Sequence, residues 1–182
     1  INQDVKFIEE CDGFRNTLIK TLEKVQVKNI FFLVDDIVFI RNIDLDYANK
    51  LDASHYILSL RHSPSLTRSY TANKKQLPPK LSNFKAASGM FEFNWFEAGN
   101  EWSDPWSVDG HILSTAEVIV ITKVSSFSAP NSYEAAMKSF NTLCVDRIGL
   151  CYFESKILNL PINRVQNECE NLSGTVSPEY LL

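Results

Sequence analysis

The sequence predicts an α/β fold in which helices flank a central mixed, mostly parallel sheet. The segment "DVKFIEE" has the composition of a short strand, and "DGFRNTLIKTLEKV" after it spaces four apolar residues along one helix face: Phe14, Leu18, Leu22 and Val25. The next segment, "NIFFLV", is a continuous apolar run, typical of a strand covered on both faces. This order of strand, helix and strand indicates a βαβ unit.

Local patterns predict the remaining elements in order. "IDLDYANKLDAS" suits a short helix, "HYILSL" and "GMFEFNWF" suit strands, "STAEVIVITKVSSF" and "NSYEAAMKSFNTL" read as helices, and "GLCYF" as a final strand. Between them, "RHSPSLTRSYTANKKQLPPKLSN" is rich in Ser, Thr, Asn, Lys and Pro, which predicts a long exposed loop of the kind that often carries function.

Length and composition predict one domain over residues 1–182 and narrow the classes of function. A net charge of -4 argues against a general nucleic-acid binder, which needs a basic face. No segment approaches the roughly 20 apolar residues that span a bilayer. The four cysteines show no CxxC spacing, so structural zinc is not expected. Without a signal-peptide pattern at the N-terminus, a cytoplasmic location is expected.

Asp35 and Asp36 directly follow the apolar run "FFLV". Ligands of doubly wound sheets bind beyond the carboxyl ends of strands, and paired carboxylates there suit Mg²⁺ or Mn²⁺. The alternative is that the pair only forms a turn, where Asp is common. Asp44 and Asp46 form a literal D-x-D, as in aspartyl phosphatases, but their setting is more typical of a helix start.

Read in order, several segments resemble bacterial glycosyltransferase-like proteins of the GT-A fold, which is Rossmann-like. They are "FFLVDD", "IVFI", "LSLR", "WFEAGNEWSDPWSVDGHILST", "PNSYEAAM" and "LPINRVQN". The resemblance implies a metal-assisted transfer of a sugar from a nucleotide-diphosphate-sugar donor to a saccharide or other hydroxyl acceptor. It places Val34-Asp35-Asp36 at the D-x-D motif, with Asp36 as ligand of Mn²⁺ or Mg²⁺ and Asp35 on the metal or the donor ribose.

The same resemblance raises a second interpretation, a non-catalytic sugar-binding or scaffold module. Val34 stands where the motif has its first acid. A GT-A fold also normally opens with a βα unit that holds the nucleotide base, whereas only one strand is predicted before the first helix. We therefore expect this chain to lack the N-terminal βα unit of the fold.

A transfer that inverts the sugar carbon needs a carboxylate to accept the proton of the acceptor hydroxyl. Glu134, in "NSYEAAMKSF", matches the base that this class of enzyme supplies downstream. It also stands three residues after Asn131, as in a capping box, which would explain it without catalysis. Asp109, in the turn "SVDGH", is the rival candidate.

Other candidates surround these carboxylates. Trp102 and Trp106 flank an acidic loop and are the predicted acceptor contacts, together with His111. Trp95 is assigned to the core instead, and His111 also has an ordinary structural interpretation.

Arg61, at the end of "YILSLR", is a candidate donor to the diphosphate, although a surface Arg leaving a strand is common. By the resemblance, Arg164 and Gln166 close over the donor. No transmembrane segment and no nucleic-acid partner are expected, and the location is cytoplasmic or peripheral to a membrane.

Overall fold

A six-stranded sheet forms the centre of the protein, which the computed structural model describes for residues 5–69 and 74–160. The helices are α1 (Phe14–Leu22), α2 (Leu45–Lys50), α3 (Thr115–Val124) and α4 (Pro130–Lys138), with short 3-10 helices at Asn100–Ser103 and Asn141–Cys144. The strands are β1 (Asn29–Ile30), β2 (Ile37–Phe39), β3 (Tyr56–Ser59), β4 (Arg68–Ser69), β5 (Lys74–Lys75), β6 (Ser82–Asn83), β7 (Met90–Asn94), β8 (His111–Ser114), β9 (Ile148–Tyr152) and β10 (Ile157–Asn159).

The strand order in this sheet is β1-β8-β3-β9-β7-β6. Helices flank a sheet that contains both parallel and antiparallel pairs, as predicted for a mixed α/β fold. Only β3 and β9 pair in parallel, and the other four pairings are antiparallel. The prediction of a mostly parallel sheet is therefore wrong, because an apolar run indicates burial on both faces but not the direction of the neighbouring strand.

The predicted βαβ unit is also absent from the described residues. Residues 5–10 form no strand, and β1 pairs antiparallel with β8, Asn29 opposite Ser114. The first helix thus leads into an edge strand of the sheet. A short alternating segment forms a strand only where a partner lies beside it.

Successive residues of the strands point into two different cores. Ile57 of β3 and Leu113 of β8 belong to a first core, which also contains all three Trp side chains, while Leu58 and Ile112 belong to a second core. Because side chains alternate along a strand, the two cores lie on opposite faces of the sheet. The sheet is thus covered on both faces.

Smaller elements complete the fold. β2 and β10 pair antiparallel, as do β4 and β5, so the predicted loop after β3 contains a two-stranded ribbon. α2 begins at Asp44, whose side chain accepts a hydrogen bond of 2.9 Å from the backbone N–H of Tyr47. This confirms Asp44 as a helix start. In the described residues, no helix has the length and apolar character needed to cross a membrane.

Candidate functional site

A cluster of charged side chains forms where the end of β3 meets α4 and the loop before β8. Ion pairs form two groups, one around Arg61 and one around Lys138, and the Ser107 hydroxyl joins them by donating to Glu134 and accepting from the backbone N–H of Asp109. The members, called the charged cluster below, are Arg61, Glu101, Asp104, Asp109, Glu134 and Lys138. Three of them, Arg61, Asp109 and Glu134, are site residues that the sequence predicts on separate segments. The fold therefore brings these three candidates together.

Arg61 lies in the most buried part of the charged cluster. Its Nη2 atom donates a hydrogen bond of 2.7 Å to Oε2 of Glu101, and its Nε atom lies 4.0 Å from Oδ2 of Asp109. The Arg61 and Asp109 side chains are each 17% exposed, and that of Glu101 is 10% exposed. Arg61 is therefore not the simple surface residue of the alternative interpretation, since it holds two carboxylates at a partly covered site.

Asp109 is positioned by the glycine that follows it. Gly110 has a φ of +74°, and a Cβ atom there would lie 2.3 Å from Cδ1 of Ile157, so a side chain would be strained and obstructed. The backbone N–H of Gly110 donates to the carbonyl of Phe32 at 2.9 Å, and the carbonyl of Gly110 accepts from the backbone N–H of Leu60 at 3.0 Å. The turn is thus fixed between two chain segments, and Asp109 projects beside Arg61.

Glu134 and Lys138 lie one turn apart on α4. Nζ of Lys138 is 3.9 Å from Glu134 and 3.0 Å from Asp104, and the Ser107 hydroxyl donates to Glu134 at 3.1 Å. Burial raises the pKa of Glu134, Lys138 acts in the opposite direction, and Asp109 adds to the rise. A half-buried carboxylate with a raised pKa is suited to accept and return a proton.

The capping interpretation of Glu134 is wrong. α4 begins with Pro130, and it is the Ser132 hydroxyl that accepts from the backbone N–H of Ala129 at 3.0 Å. Ser132 thus occupies the capping-box position, and the Glu134 side chain is directed to the charged cluster.

The predicted acceptor contacts lie in the core instead. Trp102 and Trp106 are 0% exposed; the Trp102 Nε1 donates to the carbonyl of Leu66 at 3.0 Å and the Trp106 Nε1 to that of Phe140 at 3.1 Å. Neither ring has a face on which a sugar could stack in this structure. Both instead anchor the loop that carries Glu101, Asp104 and Asp109.

His111 is also fully buried. Its Nδ1 lies 2.9 Å from the carbonyl of Pro105, which can only accept, so this nitrogen carries the proton. Its ring centroid is 5.2 Å from that of His62 and 5.3 Å from that of Trp95. His111 is therefore a buried structural residue, and so is Trp95, which is 0% exposed.

Asp35 and Asp36 occupy a turn of their own. The carbonyl of Val34 accepts from Ile37 at 3.1 Å across them, and the carbonyl of Asp36 accepts from Leu160 at 2.8 Å. The Asp36 side chain is half-buried and that of Asp35 exposed. In residues 5–69 and 74–160 no group of three or more His, Cys, Asp and Glu side chains is arranged to hold a metal ion. Arg164 and Gln166 lie outside the described residues.

Sequence reasoning missed Glu101, Asp104, Ser107 and Lys138. The spacing of Glu134 and Lys138 at i and i+4 was a visible signal for one of them, since such residues share a helix face. The place of Glu101 depends on how its loop folds against Arg61, which no local pattern reveals.

Comparison of the chain with protein-family models, with curated proteins and with solved structures finds no match.

Proposed function

We propose that the protein is a glycosyltransferase of GT-A type, which transfers a sugar from a nucleotide-diphosphate-sugar donor to the hydroxyl group of a saccharide or similar acceptor. One observation supports this more than any other: Arg61, Asp109 and Glu134 come from three separate segments and meet in a single, partly exposed charged cluster. A catalytic site requires side chains from separate segments to lie close together, whereas unrelated surface charges need not lie near one another.

Glu134 is the proposed general base. Its side chain is 26% exposed and its pKa is raised by burial, so it can take the proton of an acceptor hydroxyl as the oxygen attacks the sugar carbon. Lys138 stabilises the ionised form that must be present before the transfer. Asp109, 17% exposed, is the second candidate for the same role.

Arg61 is the proposed partner of the departing diphosphate. A guanidinium group offers several N–H donors in a planar arrangement that matches phosphate oxygens. Glu101 and Asp109 hold this group in place before the donor binds, which reduces the entropy lost on binding. Arg164 is a further candidate donor contact from the sequence.

Asp36 and Asp35 are the residues that would hold a divalent metal. One or two carboxylates suffice for Mg²⁺ or Mn²⁺ when substrate phosphates provide further oxygen ligands, and the half-buried Asp36 suits this better than the exposed Asp35. When bound, such an ion would neutralise charge on the diphosphate.

A non-catalytic sugar-binding or scaffold module is the second candidate, and Val34 favours it. The Val34 side chain packs against the first core, so the position of the first motif acid is directed inward. A protein of this kind would bind a nucleotide sugar or a glycan without turnover.

Activity measurements on a matched set of variants test the proposal. The protein is incubated with UDP- and GDP-sugars, acceptor glycans and Mn²⁺ or Mg²⁺, and released nucleoside diphosphate is measured. Glu134→Gln should lower kcat by about 10²- to 10⁴-fold if Glu134 is the base, and Asp109→Asn by less. Glu154→Gln, at the exposed pair with Arg41, should leave the rate unchanged. A larger loss in Asp109→Asn would transfer the role of base to Asp109.

Calorimetric titration separates the two candidate functions. The unaltered protein should bind UDP or GDP in the presence of Mn²⁺, and Asp36→Ala should lose the part of the affinity that depends on the metal. Binding without any turnover would favour the module. Equal metal-dependent binding by both proteins would contradict the assignment of Asp36, and no binding of nucleotide or glycan would contradict both functions.

A further inference from the structure

Basic residues are unevenly distributed along this acidic chain. Residues 53–91 contain six of the 18 basic residues and none of the 22 acidic ones. The rest of the chain therefore has 12 basic and 22 acidic residues. Such a local excess of positive charge predicts a surface that attracts an anionic partner.

The stretch "KKQLPPK" directs its charges outward. Gln76 and Pro79 are buried, and the backbone N–H of Gln76 donates to the carbonyl of Thr67 at 2.9 Å. The Gln76 side-chain oxygen also accepts from the backbone N–H of Glu101 at 3.3 Å. Gln76 and Pro79 are thus directed inward, whereas four residues next to them are exposed. We call these four the basic edge: Lys74, Lys75, Leu77 and Lys80.

Charge and apolar surface occur together on the basic edge. None of its three lysines forms an ion pair with a carboxylate of residues 5–69 and 74–160. Leu77, in their midst, is 81% exposed. A Leu as exposed as this contributes little to packing of the protein itself, and lysines precede and follow it in the sequence. Such a stretch favours a partner that is both anionic and apolar.

We propose that the basic edge binds the surface of an anionic lipid bilayer. The lysine ammonium groups would lie among the lipid headgroups, and Leu77 would enter the boundary between headgroups and acyl chains. Gln76 links this edge to Glu101, so binding would hold the charged cluster next to the membrane surface.

The same residues are less suited to a nucleic acid. "KKQLPPK" has no aromatic side chain on which bases could stack, and an exposed Leu adds nothing to phosphate binding.

Vesicle cosedimentation tests the proposal independently of any enzymatic activity. The probes are phosphatidylcholine vesicles with and without about 30% phosphatidylglycerol, in about 0.1 M salt to limit screening. The protein should bind only the anionic vesicles. The triple variant Lys74→Gln/Lys75→Gln/Lys80→Gln should bind roughly 100-fold more weakly, because each lysine near an anionic surface contributes about fivefold.

Two further variants distinguish an effect of the basic edge from an effect of the net charge of the protein. Lys24→Gln/Lys28→Gln/Lys50→Gln removes the same number of exposed lysines elsewhere and should keep its affinity. Leu77→Ser should weaken binding several-fold without a change in charge. All variants should retain the circular dichroism spectrum of the unaltered protein, since each altered side chain is exposed.

Three outcomes would overturn the proposal. In the first, the two triple variants bind the anionic vesicles equally well. In the second, the unaltered protein binds neutral vesicles as strongly as anionic ones. In the third, the unaltered protein binds single-stranded RNA but no vesicles. The last outcome would assign the basic edge to a nucleic acid. Loss of turnover in Glu134→Gln with unchanged vesicle binding would keep this surface distinct from the proposed function.

Discussion

His111 and Glu134 are both candidate site residues, but the structure gives them different surroundings. The His111 ring is 0% exposed, and burial lowers its pKa to about 3. Glu134 is 26% exposed at the charged cluster, and burial raises its pKa. His111 is therefore neutral over the physiological range and structural, whereas Glu134 has both access to solvent and a proton affinity suited to acid–base chemistry.

The buried His111 should make the protein sensitive to acid. Its pKa falls from 6.5 to about 3 on folding, so its contribution to stability is present above pH 6.5 and is lost as the pH falls toward 3. At pH 4.5 this loss is about 2–3 kcal/mol. His111→Asn keeps a side-chain N–H for the carbonyl of Pro105 but takes up no proton. The free energy of unfolding of this variant should therefore fall by about 2–3 kcal/mol less than that of the unaltered protein between pH 7 and 4.5.

Urea unfolding at the two pH values measures this difference. Val120→Ala is the control, because the Val120 side chain is 60% exposed and the substitution removes no titratable group, so the pH dependence should be unchanged. An equal acid-induced loss in His111→Asn and in the unaltered protein would show that His111 is not the group that takes up the proton.

At the scale of elements, the sequence predicts what depends on local pattern. The apolar face from Phe14 to Val25 predicts α1, and the runs around Ile57 and Leu150 predict β3 and β9, all of which are present. The direction of strand pairing depends on contacts between distant segments, so "NIFFLV" could not show that β1 would pair antiparallel with β8. Residues 5–10 have a strand composition but no strand structure.

In the candidate site, too, features set by local sequence are predictable and contacts between distant segments are not. Arg61 and Asp109 are predictable because a strand end and a Gly-containing turn are local features. The contact of Arg61 with Glu101 is not predictable, since it depends on Trp102 anchoring the loop that carries Glu101 to Leu66. The aromatic residues that suggested a sugar-binding surface instead support the loop from within the core.

The pairing of β7 with β9 places Gly149 opposite Phe93 and predicts that a larger residue at position 149 destabilises the protein. A Cβ atom there would lie 2.4 Å from Cζ of Phe93, directly opposite on β7. The Phe93 ring cannot withdraw, because Trp95 and Trp102 lie against it with ring centroids at 4.8 and 5.1 Å. Gly149→Ala should therefore destabilise the protein by about 1–3 kcal/mol.

Chemical unfolding of paired variants tests whether contact with the Phe93 ring causes the loss of stability in Gly149→Ala. Gly99→Ala adds the same methyl group in open space and should change stability little. Phe93→Leu should remove most of the cost of Gly149→Ala, because the shorter side chain makes room for the methyl group. An unchanged cost in the Phe93→Leu background would contradict the steric explanation.

At the scale of the whole molecule, the two cores share one sheet. Neighbouring residues of β3 enter opposite cores, Ile57 the first and Leu58 the second. Loss of packing in either core must therefore disturb the same strand. This arrangement is expected of a single cooperative domain, which is what the length of the chain predicts.

Leu58→Ala tests whether the two cores unfold together. Leu58 is 0% exposed in the second core, whereas Trp95, Trp102 and Trp106 all lie in the first, so tryptophan fluorescence reports on the first core alone. The substitution should destabilise the protein by about 2–5 kcal/mol and shift the fluorescence transition in urea together with the circular dichroism transition. Val120→Ala, at a side chain 60% exposed on α3, should change the free energy of unfolding by less than about 0.5 kcal/mol. If Leu58→Ala shifted the dichroism transition but left the fluorescence transition in place, the two faces of the sheet would be independent units and the single-domain prediction would be wrong.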